Sequence, residues 1–183
     1  MQQETPKTVY ATFAGMIDQQ SLPRIFQGFA AASGGGTKEV HLLFQSTGGM
    51  IGDGISLYNF FSALPMTLHI YNTGSVQSVA VLAYLGAEHR HASAHSSFMI
   101  HKSHFPMQPG VNAAKLEALA KNLVLEDERV EAILKAETEI PEEKWAFHAL
   151  QDVVFSAKEA VEFGIADDIR EFEVPPGNQI FNV

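Results

Sequence analysis

The chain has 183 residues, a length that suits a single domain built around one hydrophobic core. Its 12 Lys and Arg against 21 Asp and Glu give a net charge of -9, which repels phosphate backbones and argues against a nucleic-acid partner. Cysteine is absent, which excludes disulfides, cysteine nucleophiles and thiolate metal sites. We therefore expect one globular domain over 1–183 whose chemistry rests on other side chains.

The sequence carries no signal for secretion or for a membrane span. The N-terminal residues MQQETPKTVYATF lack a basic segment followed by an apolar one. The longest apolar stretch, 76–87, is interrupted by Gln77 and Ser78 and is shorter than the roughly 20 residues that span a bilayer. We therefore expect a cytoplasmic protein without a membrane partner.

Predicted strands and helices alternate along the chain, which indicates an α/β fold. Apolar and β-branched runs predict strands at 9–13, 40–44, 67–72, 97–101 and 165–174. Helical spacing of apolar residues predicts helices at 20–32, 52–64, 78–86, 111–139, 142–150 and 157–163. The strand at 40–44 is almost entirely apolar, which predicts a parallel strand with both faces buried. The helix at 111–139 is long and polar, and it need not pack on the main core.

Ser78 is the candidate nucleophile. It follows a predicted strand and turn and lies at the start of the helix at 78–86, where free N–H groups and the helix dipole favour negative charge. A serine hydrolase needs such a nucleophile, together with an imidazole held by a carboxylate and N–H donors for the oxyanion. The structural alternative is that Ser78 caps the helix, a common position for serine.

Gly48 and Gly49 follow a buried strand directly, at a place where absent side chains allow the backbone to approach a ligand. The functional interpretation is a loop that aims its amides at an oxyanion. The structural interpretation is an ordinary turn between strand and helix. A phosphate loop is not predicted, because no Gly-Lys-Ser/Thr follows.

A base and a carboxylate also have candidates. His101 ends a predicted strand, where a loop-facing imidazole can act as general base toward a serine on another strand end. Lys102 is a weaker alternative base. Asp152 precedes an apolar turn and a short helix, and as an orienting carboxylate it would fix the imidazole tautomer. Asp167 and Asp168 are competing carboxylates, and each residue taken alone is also compatible with a structural role.

Histidines at 89, 91 and 95 raise the alternative of a metal site. No carboxylate lies inside this cluster, and the segment is predicted to be a strand edge or turn. The sequence therefore does not predict a bound metal.

Several short motifs stand in one order along the chain. They are FQSTGG at 44–49, GISLYN at 54–59, GSVQSVA at 74–80, MIH at 99–101, DVVFSAKEA at 152–160 and FGIAD at 163–167. Through these motifs the chain, from about 9 to 169, resembles the proteolytic subunit of the Clp protease, ClpP, of the ClpP/crotonase superfamily. The corresponding family motifs carry the Gly-Gly loop, the nucleophile, the base and the carboxylate.

The resemblance implies a serine endopeptidase that hydrolyses peptide or unfolded-protein substrates. Ser78, His101 and Asp152 match the catalytic triad of the family, and the backbone N–H groups of Gly49 and Val79 match its oxyanion donors. His101 would take the proton of Ser78 while Asp152 stabilises the imidazolium. No metal or organic cofactor is implied.

The resemblance also implies an assembly. Stacked β-β-α units would carry a projecting handle at about 111–141, through which subunits form a homo-oligomeric ring. Two such rings would pair face to face around a closed chamber in which substrate is cleaved. Members of the family meet an AAA+ ATPase ring partly through an N-terminal segment. This chain begins close to its first predicted strand, so the sequence does not predict dependence on that ATPase.

The chain departs from the family pattern around the candidate site. Thr47 replaces Pro before the two glycines, and Gln77 replaces a small residue before the nucleophile. Val79 and Ala80 replace Met-Gly, and 102–110 lacks the Gln-Pro and Gly-Gly that follow the base. These changes predict a reshaped oxyanion turn and first subsite, and they leave substrate preference open.

Two alternatives share the same sequence features. The chain can be a catalytically silent ring subunit or scaffold, or a crotonase-type acyl-CoA enzyme. The acyl-CoA enzyme would use the same Gly-Gly oxyanion loop, but it leaves the order of Ser78, His101 and Asp152 unexplained.

Overall fold

The computed structural model describes residues 7–105 and 109–183. Residues 1–6 and 106–108 lie outside the described residues. The predictions for the N-terminal segment and for 102–110 therefore fall partly outside the described residues. In the described ranges, every helix is too short or too polar to cross a bilayer.

Strands and helices alternate, and the strands of the described chain form one sheet. The strands are β1 (Thr8–Ala14), β2 (Glu39–Ser46), β3 (Thr67–Gln77), β4 (His89–Ala92), β5 (Ser97–Ile100), β6 (Val153–Ser156), β7 (Asp168–Ile169) and β8 (Ile180–Asn182). The helices are α1 (Ser21–Gly34), α2 (Ile51–Ser62), α3 (Val79–Leu85), α4 (Ala113–Glu137), α5 (Glu142–His148) and α6 (Ala157–Glu162). The order across the sheet is β6-β5-β3-β2-β1-β8, with β4 between β3 and β7. All pairings are parallel except β5 with β6.

One face of the sheet forms the hydrophobic core with the helices. The register sets Phe13 of β1 beside Phe44 of β2, with ring centroids 5.4 Å apart, and Leu42 beside Ile70 of β3. Helices α1 and α2 bury apolar residues such as Phe29 in the same cluster. Burying a side chain of this size stabilises the fold by about 1.5–3 kcal/mol.

The other face of β2 is only half-buried. His41 and Leu43 alternate with the fully buried residues of the core face. The prediction that both faces of this strand are buried is therefore wrong. Buried and half-buried residues alternate along the strand with a period of two. The alternation is not visible in the sequence because the run is short and almost entirely apolar.

Helix α4 projects from the sheet, as its polar sequence predicts. Leu134, near the C-terminal end, is its one fully buried residue. Asn112 caps the N-terminus by accepting a hydrogen bond from the Lys115 N–H at 2.9 Å. At the other end the Tyr58 hydroxyl donates to Glu137 at 2.5 Å, and this carboxylate together with burial raises the pKa of Tyr58 to about 12. The base of the helix is therefore fixed to α2.

The C-terminal region differs from the prediction. Only Asp168–Ile169 of the predicted strand at 165–174 pairs with a neighbour, and a further strand, Ile180–Asn182, adds to the outer edge of β1. All three residues of this edge strand are exposed, so no alternation marks it in the sequence. Strand β3 also extends to Gln77, past the predicted end at 72, with a register irregularity against β2 between Phe44 and Ser46.

Two glycines of α2 provide a matched test of the packing between α2 and α3. A Cβ at Gly54 would lie 2.6 Å from the Val79 Cβ of α3, whereas a Cβ at Gly52 meets no atom within 4 Å. We expect Gly54→Ala to lower the free energy of unfolding by about 1–3 kcal/mol. The control Gly52→Ala should leave it unchanged or raise it by about 0.5 kcal/mol. Urea unfolding at one protein concentration measures both, and equal effects would contradict the close approach of the two helices.

Candidate active site

Ser78 lies between the end of β3 and the first residue of α3, in an uncommon backbone conformation. Its φ is 57° and its ψ is -134°, and among the described residues it is the one non-glycine with positive φ. Its N–H donates to the Met99 carbonyl of β5 at 2.7 Å, and its carbonyl accepts from the Val81 N–H at 3.0 Å. These two hydrogen bonds keep Ser78 in the strained backbone conformation. Strained residues of this kind cluster at functional sites.

His101 makes a hydrogen bond on each side of its ring. Its Nε2 lies 2.8 Å from Ser78 Oγ, and its Nδ1 lies 2.7 Å from the carbonyl oxygen of Lys102. A carbonyl only accepts, so Nδ1 carries the proton and Nε2 presents its lone pair to the Ser78 hydroxyl. This tautomer is the one a general base toward Ser78 requires.

The two glycines after β2 pack directly against the candidate nucleophile. Gly48 has φ +92°, and a Cβ there would lie 2.7 Å from the Ser78 Cβ, while a Cβ at Gly49 would lie 1.9 Å from the Ile17 carbonyl oxygen. The Gly48 N–H donates to Ser46 Oγ at 3.1 Å, and the Gly48 carbonyl accepts from the Ile17 N–H at 2.9 Å. Glycine is therefore required at both positions by close approach.

The loop and the helix each leave a backbone donor free. Neither the Gly49 N–H nor the Val79 N–H has a hydrogen-bond acceptor in the described part of the chain. Val79 opens α3, where the first N–H groups of a helix lack partners within it. Both residues line the same pocket as Ser78 and His101, so both donors are available for an oxygen bound there.

The pocket beside Ser78 has an apolar wall that the sequence did not indicate. This wall consists of Met16 from the β1–α1 loop, Ile51 from α2, and Val130 and Leu134 from α4. Ile51 follows the Gly-Gly motif by two residues, which is the one local signal available. The others come from distant segments. Apolar walls of this kind are typical of sites that bind small molecules or side chains.

Asp152 is exposed and is not hydrogen-bonded to His101 in this structure, because the Lys102 carbonyl takes the Nδ1–H. Asp152 nevertheless lines a pocket together with His101, and Ser78 is not part of that pocket's lining. The competing carboxylates lie elsewhere: Asp167 pairs with Arg90 at 3.2 Å, and Asp168 pairs with a histidine of β4. The third position of the triad stays a prediction.

Lys102 is paired with acidic residues of α4. Its ammonium contacts the Glu131 carboxylate and lies 3.6 Å from Asp127 Oδ2. Burial acts to lower the pKa of Lys102, but the two carboxylates outweigh it and hold that pKa above its ordinary value. Lys102 is therefore protonated at neutral pH, which makes it unsuited to the role of alternative base.

The same acidic residues fasten the loop after His101 to the base of α4. Asp127 Oδ1 accepts from the Ser103 N–H at 2.8 Å, and Glu131 Oε1 lies 3.7 Å from Nδ1 of the buried His148. Together with the ion pairs of Lys102, these contacts fix the peptide between Lys102 and Ser103. The carbonyl of this peptide orients the His101 ring. No sequence motif near His101 indicates that its loop contacts α4.

Similarity to known proteins places the chain in a family. Residues 9–173 match the family model described as Clp protease, so the chain belongs to the Clp protease family. It is 30% identical over 134 residues to the ATP-dependent Clp protease proteolytic subunit 4 of Rhodococcus jostii (strain RHA1), covering 72% of this chain and 68% of that protein. It is 25% identical over 161 residues to proteolytic subunit 3 of Rhizobium etli, covering 85% of this chain and 80% of that protein.

The fold is also similar to a solved structure of the same family. A point mutant of ClpP1 from Listeria monocytogenes superposes with a TM-score of 0.76 and 22% identity, covering 91% of this chain and 92% of that one. The predicted resemblance to ClpP and the predicted α/β fold with a projecting helix are thereby confirmed.

The contact between α4 and the His101 loop yields a test. We expect Glu131→Gln to slow the reaction of Ser78 with a fluorophosphonate about fivefold, the factor that corresponds to about 1 kcal/mol for a partly exposed ion pair. The control Glu117→Gln removes a carboxylate of the same helix whose ion-pair partner within the described residues is Lys121, and it should have no effect. Labelling rates followed by gel fluorescence measure both. Equal rates for Glu131→Gln and the unaltered chain would contradict a role for α4 in positioning His101.

Proposed function

We propose that the protein is a serine-type endopeptidase of the Clp protease family, with Ser78 as nucleophile and His101 as general base. The observation that carries this proposal is the 2.8 Å contact between His101 Nε2 and Ser78 Oγ, with Nδ1 donating to the Lys102 carbonyl. This pair lies beside the apolar pocket and the free N–H groups of Gly49 and Val79. Base, nucleophile and oxyanion donors are the parts that acyl transfer needs.

The mechanism follows from these positions. His101 Nε2 takes the Ser78 proton as Oγ attacks the carbonyl carbon of the peptide, and the resulting oxyanion accepts hydrogen bonds from the Gly49 and Val79 N–H groups. The tetrahedral intermediate collapses, and His101 Nε2–H protonates the departing amine. Water then attacks the acyl-serine with His101 again as base, which releases the carboxylate product and restores Ser78.

We propose Asp152 as the third member of the triad. To act, its carboxylate must replace the Lys102 carbonyl as the acceptor of the His101 Nδ1–H. A carboxylate stabilises the imidazolium formed during the reaction more strongly than a neutral carbonyl does. His101, Lys102 and Asp152 line one pocket. The Lys102 carbonyl holds the reactive tautomer of His101 in the resting site, and Asp152 would replace it as positive charge develops on the ring.

Assembly into homo-oligomeric rings that pair face to face around a chamber is the second part of the proposal. Helix α4 exposes apolar side chains along its length: Leu116 is 44% exposed, Val124 58% and Leu125 51%. Leu150 after α5 and Val154 of β6 are also largely exposed. Exposed apolar surface of this kind is typical of subunit contacts. Within such a chamber, peptides and unfolded chains are the expected substrates.

Fluorophosphonate labelling tests the catalytic proposal. We expect the native assembly to be labelled at Ser78, and Ser78→Ala and His101→Ala to abolish the labelling. Asp152→Asn should slow peptide cleavage by about 10²–10⁴-fold, whereas the control Asp167→Asn, at the carboxylate paired with Arg90, should leave the rate within about twofold. Mass spectrometry of the adduct and a fluorogenic peptide assay provide the readouts.

Absence of labelling in a correctly assembled sample would overturn the peptidase proposal and indicate a silent ring subunit, consistent with an imidazole held by a backbone carbonyl. A thermal shift on adding an acyl-CoA, together with absence of labelling, would instead favour the crotonase-type alternative.

The handle provides a test of assembly that is independent of catalysis. We expect Val124→Glu to convert the oligomer to smaller species, because a charge placed in an apolar contact costs several kcal/mol of association energy. The control Lys158→Glu changes an exposed polar position on α6, outside the handle, and should leave the mass unchanged. Size-exclusion chromatography with light scattering measures both. A monomeric unaltered chain would contradict the chamber.

A further inference from the structure

The half-buried face of the sheet, opposite the hydrophobic core, carries a row of histidines. The parallel register sets His41 of β2 beside His69 of β3, and His69 beside His89 of β4. The rings stack, with centroids 4.5 Å apart for His41 and His69 and 4.4 Å for His69 and His89. Three strands thus bring together side chains that are far apart in the chain.

A carboxylate completes this group. Glu39 Oε1 lies 3.3 Å from His41 Nε2 and 3.1 Å from His69 Nε2, and one donor atom from each residue falls within 4.8 Å of the others. Four-coordinate zinc has bonds of about 2.0–2.1 Å, which set neighbouring ligand atoms about 3.3 Å apart. The two distances from Glu39 Oε1 match the edges of such a tetrahedron, and the third, between the two histidine nitrogens, is within 4.8 Å.

Hydrogen bonds on the far side of His69 orient its ring. His91 Nδ1 lies 2.5 Å from Asp168 Oδ1, and His91 Nε2 lies 3.2 Å from His69 Nδ1. Asp168 only accepts, so His91 donates from Nδ1. In the neutral form of His91, its Nε2 accepts from His69 Nδ1–H, and His69 Nε2 then carries a lone pair. That lone pair faces the Glu39 carboxylate. Two acceptors 3.1 Å apart repel each other unless a proton or a metal cation lies between them.

His41 has an equivalent support. Its Nδ1 lies 2.9 Å from the Tyr71 hydroxyl, so that its Nε2 is aimed at Glu39. Partners that hold the second nitrogen of a ligating histidine are a regular feature of metal sites.

We propose that Glu39, His41 and His69 bind a divalent first-row transition metal, zinc above all, with water in the fourth position. Two imidazoles and one carboxylate suit zinc, whereas calcium and magnesium prefer oxygen ligands alone. Glu39 is 33% exposed and the two rings 18% and 14%, which leaves an open side for metal entry and for the water.

The proposed metal has a structural role and takes no part in peptide hydrolysis. His69 and Ser78 are both reached along β3, and nine residues of extended chain span roughly 30 Å. The ligands come from β2 and β3, so the metal would join these two strands at the end of the sheet opposite Ser78. Loss of the metal is therefore expected to lower thermal stability and to leave fluorophosphonate labelling of Ser78 intact.

Zinc titration of the untagged full chain, by competition with a chromogenic chelator, tests the proposal. We expect one zinc per chain, and a loss of affinity of more than about tenfold in both His69→Ala and Glu39→Gln. His91→Ala, which removes the partner of His69, should weaken binding by about 10–100-fold. His95→Ala is the control, since His95 lies in an exposed turn outside this group, and it should bind as the unaltered chain does.

Cobalt provides a second readout of the same site. Co²⁺ bound in place of zinc should give the intense visible absorption of a four-coordinate site, and His69→Ala should remove it. Glu39→Gln preserves side-chain shape, so it reports on binding even where His69→Ala fails to fold. The proposal is overturned if the unaltered chain binds no zinc, or if Glu39→Gln and His69→Ala bind it as tightly as the control.

Discussion

The hydrogen bond from the Ser78 N–H to the Met99 carbonyl, 2.7 Å long, is the contact on which the candidate active site depends. It continues the pairing of β3 with β5 by one residue beyond the last strand position, while the carbonyl of Ser78 already serves the first turn of α3. Ser78 thus bonds to a strand through its N–H and to a helix through its carbonyl, and its φ is 57°. The side chain is thereby carried out of the sheet toward His101.

Strand β3 also organises the rest of the molecule. Its first half pairs with β4 and its second half with β5, so the sheet divides at this strand into two ends. The end near Ser78 carries the pocket and the Gly-Gly loop. The end near His69 carries the histidine row. The one strand thus positions a candidate catalytic centre and a proposed metal site that share no residue.

Much of this is predictable from local pattern, and the differences between sequence and structure have a common cause. The order of strands and helices follows from the period of the apolar residues. The Gly-Gly loop at 48 and 49 and the pairing of Ser78 with His101 are expected from the resemblance to ClpP that the order of the motifs carries. The exposed edge strand Ile180–Asn182 escapes prediction because it has no buried alternation. The histidines at 89, 91 and 95 have no carboxylate among them in the sequence. Glu39 lies on a different strand, two positions from His41.

The sequence by itself determined the family, the α/β order and the residue types of the candidate site, because these are encoded in short motifs and in the period of apolar residues. Only the tertiary structure decided which atoms meet. It directed the His101 Nδ1–H to the Lys102 carbonyl rather than to Asp152, and it turned Lys102 toward the acids of α4. Such pairings depend on loop paths and strand register, which bring distant residues within hydrogen-bonding distance and leave no periodic trace in the chain.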